Sequence, residues 1–305
     1  MGPSPANRRT ALAALTTAGV LWGLSVPLSK LALGWLSPAW LAVARFALAA
    51  PLMALAGRRG LRDALDLRVA ALGAVGFGGV ILLQNAGVAR TSVSHACVVI
   101  GVVPVLVALI AARADGAGVR PRAWTGYAIA ALGIALVAGS AGAGATFSGD
   151  ALVFASGALS AGMIVLQPRV LAGRDPAAVT AVQFAAGALF ALPVALAGGP
   201  LPPELANPAL ASVLAFLALT LAGTLLPFWL FAHGQAHVDA EVAGAFVNLE
   251  PLVGAATGWL AFGDPASAVQ LTGAAAVLVG IVLSTASPPV AGSEEGDNVP
   301  AVRAA

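Results

Sequence analysis

Ten long apolar stretches fill almost the whole chain, and nearly every arginine falls in alternate gaps between them. The stretches run over 11–33, 38–56, 67–88, 92–112, 123–140, 151–171, 177–198, 208–232, 240–262 and 268–285. About 20 mostly apolar residues are what one helix needs to cross the hydrocarbon of a bilayer. The runs are continuous rather than alternating, so they predict spanning helices and not the strands of a membrane barrel. Only 9% of the 305 residues are charged, and the mean hydropathy is +0.94. A water-soluble domain carries about 25% charged residues and cannot hide so much apolar surface at this length. The lipid bilayer is therefore the expected solvent. The first run is longer than the apolar core of a signal peptide and no obvious cleavage site follows it, so it reads as a retained helix.

The charges orient the chain. With the N-terminus inside, Arg8, Arg9, Arg58, Arg59, Arg62, Arg68, Arg113, Arg120, Arg122, Arg169, Arg174 and Arg303 share one side, 12 of the 15 Lys and Arg residues. Lys30 and Arg90 lie toward the other side, and Arg45 lies within a run. The connections 141–150, 199–207 and 263–267 carry no Lys or Arg. This bias predicts a multi-pass protein of the inner (plasma) membrane with both ends in the cytoplasm. The pI of 9.3 does not imply nucleic acid, because no basic patch with interleaved aromatics remains. The lone cysteine, Cys97, lies inside a run and reads as a buried small hydrophobe.

An internal repeat organises the rest. "GVARTSVSHACVVIGVVPVLVALIA" (87–111) parallels "GQAHVDAEVAGAFVNLEPLVGAATG" (234–258), with Gly87 on Gly234 and Pro104 on Pro251. Both shifts are 147 residues (234 − 87 and 251 − 104), and the same shift puts Gly126 on Gly273 and Gly133 on Gly280. Upstream, "SPAWLAVARF" (37–46) resembles "DPAAVTAVQF" (175–184) at a shift of 138, which sets Arg45-Phe46 against Gln183-Phe184. Each half then holds five spans, 11–145 and 146–286. Five is odd, so the second half runs the opposite way through the membrane. Inverted repeats of this kind mark secondary transporters, in which two related bundles rock about one central site. Residues 1–10 and 287–305 read as disordered cytoplasmic tails, and 57–68 as a connector along the interface.

Glu250 is the sharpest candidate for chemistry. It sits near the middle of the ninth run, where a carboxylate costs about 3 kcal/mol on insertion scales. It should face a cavity or a partner, or be protonated, and such a group suits a site that takes and releases a proton. Pro251 removes a backbone donor, which leaves the Val247 carbonyl without its usual bond. The other reading is a Glu neutralised by a hydrogen bond between helices. Arg45 lies about 10–12 Å into its run at 1.5 Å per residue. It is placed to pair with Glu250, to bind an anionic group of a substrate, or to form a structural ion pair. Trp22, Gln84, Asn85 and Asn248 are candidates to line a central cavity, and His95 is either a buried hydrogen-bonding residue or a proton relay. Glu241 is a gate residue or a helix-start charge, and Lys30 can reach the outer interface along its stem. Trp35 and Trp259 are placed as interface anchors. Gly19 with Gly23, and Gly254 with Gly258, form GxxxG pairs that permit close helix contact. Prolines inside the runs (Pro27, Pro51, Pro104, Pro193, Pro227 and Pro251) each break one backbone bond. No metalloprotease, serine hydrolase, phosphate-loop or cysteine-cluster motif appears. Neither a cofactor nor a metal is expected, and transport without an ATP-binding loop must run on a gradient or downhill.

Four segments carry a family resemblance: "WGLSVPLSKLAL" (22–33), "SPAWLAVARFALAA" (37–50), "LLQNAGVARTSVSHACVVIGVVPVLVALIA" (82–111) and "NLEPLVGAATGWLAFGDPAS" (248–267). Their order and topology resemble the EamA-like family of the drug/metabolite transporter superfamily over roughly 11–286. The resemblance implies ten spans in two inverted five-helix repeats and a metabolite or drug carrier, often an exporter. Where that family has an acidic residue after the ninth span, this chain has Asp264; "ARADG" (112–116) lacks the Gly-Glu usual in the first half. The expectation is thus an all-α integral membrane protein, a secondary carrier and not an enzyme. It moves a small-molecule substrate outward with proton coupling, with Glu250 as proton carrier and Arg45 holding the partner charge or the substrate. The fifth and tenth spans pack at the periphery or at a homodimer contact. A facilitator or importer is the main alternative. A membrane-embedded enzyme would need catalytic groups that converge, and only scattered single residues are on offer.

Overall fold

The computed structural model describes residues 5–114, 121–138, 144–199, 209–238, 243, 246, 247, 249–264 and 266–285. Among them every regular element is helical. The helices are α1 (Pro5–Gly23), α2 (Ser25–Ala32), α3 (Pro38–Ala56), α4 (Leu61–Ala64), α5 (Leu67–Gly73) and α6 (Val80–Val88). Next come α7 (Val93–Ile100), α8 (Val103–Ala114), α9 (Pro121–Ala138), α10 (Phe147–Leu171) and α11 (Pro176–Ala197). The last are α12 (Leu210–Thr220), α13 (Leu226–Gln235), α14 (Leu249–Ala261) and α15 (Ala268–Thr285). Several are two pieces of one rod: α5 and α6 are joined by a π-helical segment, Ala74–Gly79, and α12 and α13 by another, Leu221–Leu225.

Seven rods are long and apolar enough to cross a membrane: Arg8–Ala32, Pro38–Ala56, Leu67–Val88, Val93–Ala114, Phe147–Leu171, Pro176–Ala197 and Leu210–Gln235. The expected fifth and tenth runs appear as α9 and α15, which are shorter in their apolar parts, Trp124–Val137 and Ala268–Gly280. The expected ninth run is a continuous helix from Leu249 onward; most of 240–248 lies outside the described residues. Helix starts follow local chemistry. Ser37, Ser92, Thr146 and Asp175 cap α3, α7, α10 and α11 by accepting backbone N–H groups, which satisfies donors the first turn cannot.

Close approach is supplied by glycine. A methyl group at Gly19 would meet the Phe246 carbonyl and Leu249, and one at Gly23 would meet Val253. On α14 itself, one at Gly254 would meet Cys97 and the Gly23 carbonyl, and one at Gly258 would meet Asp264 and the Ser94 backbone. Both GxxxG pairs are thus used, and α14 is clamped between α1 and α7 with almost no side chain in between.

The contacts recur at the offsets of the sequence repeat. Gly234 abuts Leu15 as Gly87 abuts Val153, and these residues are related by shifts of 147 (234 − 87) and 138 (153 − 15). Gly133 abuts Gly273, and Gly280 abuts Gly126, so α9 and α15 pack directly on each other through repeat-equivalent glycines. The π-helical segments begin 147 residues apart, at Ala74 and Leu221. Phe46 and Phe184, equivalent at the shift of 138, stack on one another with ring centroids 5.4 Å apart. The two repeats therefore meet at a pair of equivalent residues.

Gly133→Ala and Gly280→Ala should each lower stability in detergent, since a Cβ there meets backbone that cannot yield; overpacking costs about 1–3 kcal/mol. At Gly162, inside α10, a methyl group would have nothing within 4 Å. Gly162→Ala should stabilise by up to about 1 kcal/mol through helix propensity alone. Thermal unfolding of the three variants tests both signs.

Candidate central binding site

The broken rods surround a cavity near the middle of the spans, the kind of concave, mostly apolar place with a few polar groups where small molecules bind. Its wall is built where helices are interrupted. Trp22 and Ser25 flank the α1–α2 break, Gly76 and Phe77 lie in the first π-helical segment, and Ile100 and Val103 flank the α7–α8 break. Val247 and Glu250 stand at the start of α14. Proline explains three of these breaks. Pro27, Pro104 and Pro251 lack the N–H groups that would bond the carbonyls of Gly23, Ile100 and Val247. Val247 is not left bare as the sequence suggested: its carbonyl accepts the Glu250 N–H at 3.0 Å, the tighter bond of a helix's first turn.

Arg45 is 2% exposed and reaches the cavity from α3. Its Nε donates to Thr224 Oγ1, and its Nη2 donates to the Gly223 carbonyl at 3.1 Å. Pro227 is the cause: it lacks the N–H that would bond Gly223, and the guanidinium fills the vacancy. Thr224 Oγ1 in turn donates to the Leu219 carbonyl at 2.8 Å. Arg45 is therefore held in place by the second π-helical segment. Glu250, on α14, is buried at the same cavity. Arg45 and Glu250 share this space without forming an ion pair, and the Glu250 carboxylate makes no hydrogen bond among the described residues.

Trp22 and Gln84 also line the cavity. The Trp22 indole N–H is buried without an acceptor among the described residues, and its ring meets Phe228 and Phe231 at 5.0 and 4.8 Å. Asn85 lies behind the wall, 1% exposed, with its amide nitrogen donating to the Pro38 carbonyl at 3.0 Å. One residue along a helix turns a side chain by about 100°, so Gln84 and Asn85 cannot both face inward. His95 is also absent from the cavity wall; it is bonded to Asp150 and Gln270 toward the Arg-poor end. Asn248 and Glu241 lie outside the described residues. Lys30 is tied to the connection between α6 and α7. Its Nζ donates to the carbonyls of Val88 and Thr91, both at 2.7 Å, at the C-terminal end of α6, where a cation is favoured. The indole N–H groups of Trp35 and Trp259 are buried without acceptors among the described residues. Asp264 accepts the Ser94 N–H at 2.7 Å and so ties the end of α14 to the start of α7.

Three glutamines were not singled out by the sequence. Gln167 and Gln235 line the cavity. Gln167 and Gln183 exchange two amide hydrogen bonds, at 3.0 and 2.8 Å, and Gln235 donates to the Ile164 carbonyl at 3.1 Å. The repeat held the available signal: Gln183 is the equivalent of Arg45, a polar residue at the same depth.

The wall follows the repeat. The shift of 147 carries Ile81 onto Phe228, Gln84 onto Phe231, Ile100 onto Val247 and Val103 onto Glu250, and all eight line the cavity. The shift of 138 carries Trp22 onto Ser160 and Ser25 onto Met163, which line it too. The charges do not follow the repeat. Arg45 is matched by Gln183 and Glu250 by Val103.

A multi-pass helical bundle with a repeat-related hollow at its middle is the architecture of a membrane transporter. The model of the EamA-like transporter family matches residues 9–139 and again 147–286, so the chain belongs to that family, within the drug/metabolite superfamily. An uncharacterized transporter of Archaeoglobus fulgidus is 28% identical over 276 residues, which take in 88% of this chain and 94% of the relative. A protein of known crystal structure superposes with a TM-score of 0.68 at 20% identity, covering 91% of this chain and 97% of its own. At that identity the likeness speaks for the fold alone.

The glutamine pair makes a stability prediction. Gln167→Leu should cost about 1–3 kcal/mol, because it strands the Gln183 amide in an apolar interior. Gln167→Leu with Gln183→Leu should recover most of that loss. A double-mutant cycle on unfolding in detergent measures it.

Proposed function

We propose that this transporter is a proton-coupled secondary exporter of a small amphipathic metabolite or drug-like solute. In this reading ten spans form two inverted halves, 11–145 and 146–286, in the inner membrane, with both ends in the cytoplasm. The carrying observation is the central cavity itself, where two opposite charges, Arg45 and Glu250, stand unpaired with each other. Ionisable groups at mid-membrane are expensive and mark ion or substrate pathways. Aromatic and aliphatic side chains make most of the wall, which suits a solute with an apolar body. The Trp22 indole and the few polar side chains give it orientation. Glu250 takes and releases the proton, and Arg45 attracts the anionic part of the solute. Substrate and proton then compete for one electrostatic environment, which couples their movements.

A comparison of medium and cell metabolites with and without the protein identifies the solute. Its uptake into everted vesicles, energised by a proton gradient, then tests the mechanism. Glu250→Gln should abolish the response to the gradient while leaving downhill exchange. Arg45→Ala should weaken solute binding about 10-fold or more, since removing a buried charged partner costs about 2–5 kcal/mol. Gradient-driven uptake that survives in Glu250→Gln removes Glu250 from the mechanism, and gradient-independent uptake in the unaltered protein makes it a facilitator.

A further inference from the structure

A second buried polar cluster lies toward the Arg-poor end, outside the central cavity. It joins Thr91, His95 on α7, Asp150 on α10 and Gln270 on α15, each at most 4% exposed. Thr91 Oγ1 donates to Asp150 Oδ1 at 2.5 Å, and His95 Nδ1 lies 3.1 Å from Asp150 Oδ2. His95 Nε2 lies 2.9 Å from Gln270 Nε2. Gln270 has a second task. Its Oε1 accepts the Ser267 N–H at 3.1 Å, and its own N–H donates to Ser267 Oγ at 3.2 Å. That reciprocal pair is the capping box that starts α15.

The capping box settles the state of the imidazole. Gln270 Oε1 is occupied by Ser267, so the amide nitrogen faces His95, and an amide nitrogen only donates. His95 Nε2 must then be the bare, accepting nitrogen. Nδ1 carries the hydrogen and donates it to the Asp150 carboxylate. The network as it stands requires a neutral imidazole in one tautomer.

We propose that His95 is a second proton site, separate from Glu250, and that filling it opens the start of α15. A proton from the adjacent aqueous phase binds the Nε2 lone pair and no other covalent bond changes. Two N–H donors then oppose each other across the 2.9 Å contact. Rotation of the Gln270 amide relieves this by presenting Oε1 to His95, and the same rotation takes Oε1 away from Ser267. The Ser267 N–H loses its partner and only the Ser267 half of the capping box remains, while the new cation strengthens the contact between α7 and α10 through Asp150. One proton thereby tightens one helix contact and loosens another.

Three other charged groups near α7 are already engaged. Asp264, after α14, holds the Ser94 N–H. Lys30, from α2, is bound to the Val88 and Thr91 carbonyls, and Arg90 donates to the Ala86 carbonyl. Glu250, from α14, lines the cavity. Cys97 is buried two residues along α7. α8 carries Arg113 in its last turn, α9 carries Arg122 and Tyr127, and α15 carries no titratable side chain. The device is one-sided: the repeat shifts put Val242 opposite His95, Leu12 opposite Asp150 and Ala123 opposite Gln270.

The test reads protonation and local structure, not transport, so it stands or falls apart from the carrier reading. The full chain is labelled with ¹⁵N-histidine in lipid nanodiscs, and His95→Gln identifies the His95 signals. Near neutral pH, Nδ1 should be protonated and Nε2 bare. On acidification Nε2 should gain its proton together with an approximately fivefold faster amide exchange over 267–271, corrected for intrinsic rates, the equivalent of one lost hydrogen bond. His95→Gln should lack the acid step. Gln270→Ala should exchange fast at both pH values with no step, which covers the case that His95→Gln fails to fold. A protonated Nε2 at neutral pH, an imidazole that stays neutral until the fold is lost, or an acid step that persists in either variant overturns the proposal.

Discussion

In hydrocarbon a backbone carbonyl that loses its helical partner has no water to turn to. That constraint governs where this protein can afford irregular backbone. Its broken or π-helical segments gather around one cavity, and two of the orphaned carbonyls there are answered locally. Gly223, left free by Pro227, is taken by Arg45. Val247, left free by Pro251, is taken by the Glu250 N–H. The two ionisable side chains of the cavity thus sit at two of the places where a proline has opened the ladder, and one of them is the repair.

Such a cavity needs a rigid frame, and glycine provides it. The Glu250 helix is pressed against α1 through Gly19 and Gly23 and against α7 through Gly254 and Gly258. Backbones that close cannot slide by fractions of a side chain, because packed contacts have discrete arrangements rather than a continuum. The carboxylate is positioned by main-chain contacts, and its side chain is left unbonded among the described residues. A group held in this way can change its charge without dismantling the helix contacts that place it.

Much of this is legible in the chain itself. The apolar runs locate the rods because length and continuity are what hydrocarbon selects. The Gly, Pro and Phe matches of the repeat reappear as contacts: Phe46 on Phe184, Gly133 on Gly273 and Gly280 on Gly126. Glu250, Arg45, Trp22 and Gln84 come together at one cavity. Side-chain facing is what a linear reading misses. Gln84 and Asn85 are neighbours of similar chemistry, and only helix rotation separates the lining residue from the one behind the wall. Asp150 reads as the end of a polar connection, yet it sits in the first turn of α10 and reaches His95. The glutamine pair joins residues 16 apart on adjoining helices, a relation that no helical period reports.

The repeat also bears on direction. Were the halves identical, exchanging their conformations would turn an inward-facing carrier into an outward-facing one of equal energy. Each unlike pair removes that degeneracy. Arg45 binds the π-helical segment of α12–α13, whereas its equivalent Gln183 bonds Gln167 instead. Glu250 faces the cavity where its equivalent is Val103, and His95 bonds α10 and α15 where its equivalent is Val242. All three differences are ionisable on one side and neutral on the other; Arg45 keeps its charge, whereas the weight of Glu250 and His95 changes with proton occupancy while the apolar packing does not. A ligand shifts an equilibrium only by its differential affinity for the two states. Under the proposed proton coupling, the proton is a ligand for which the two halves differ.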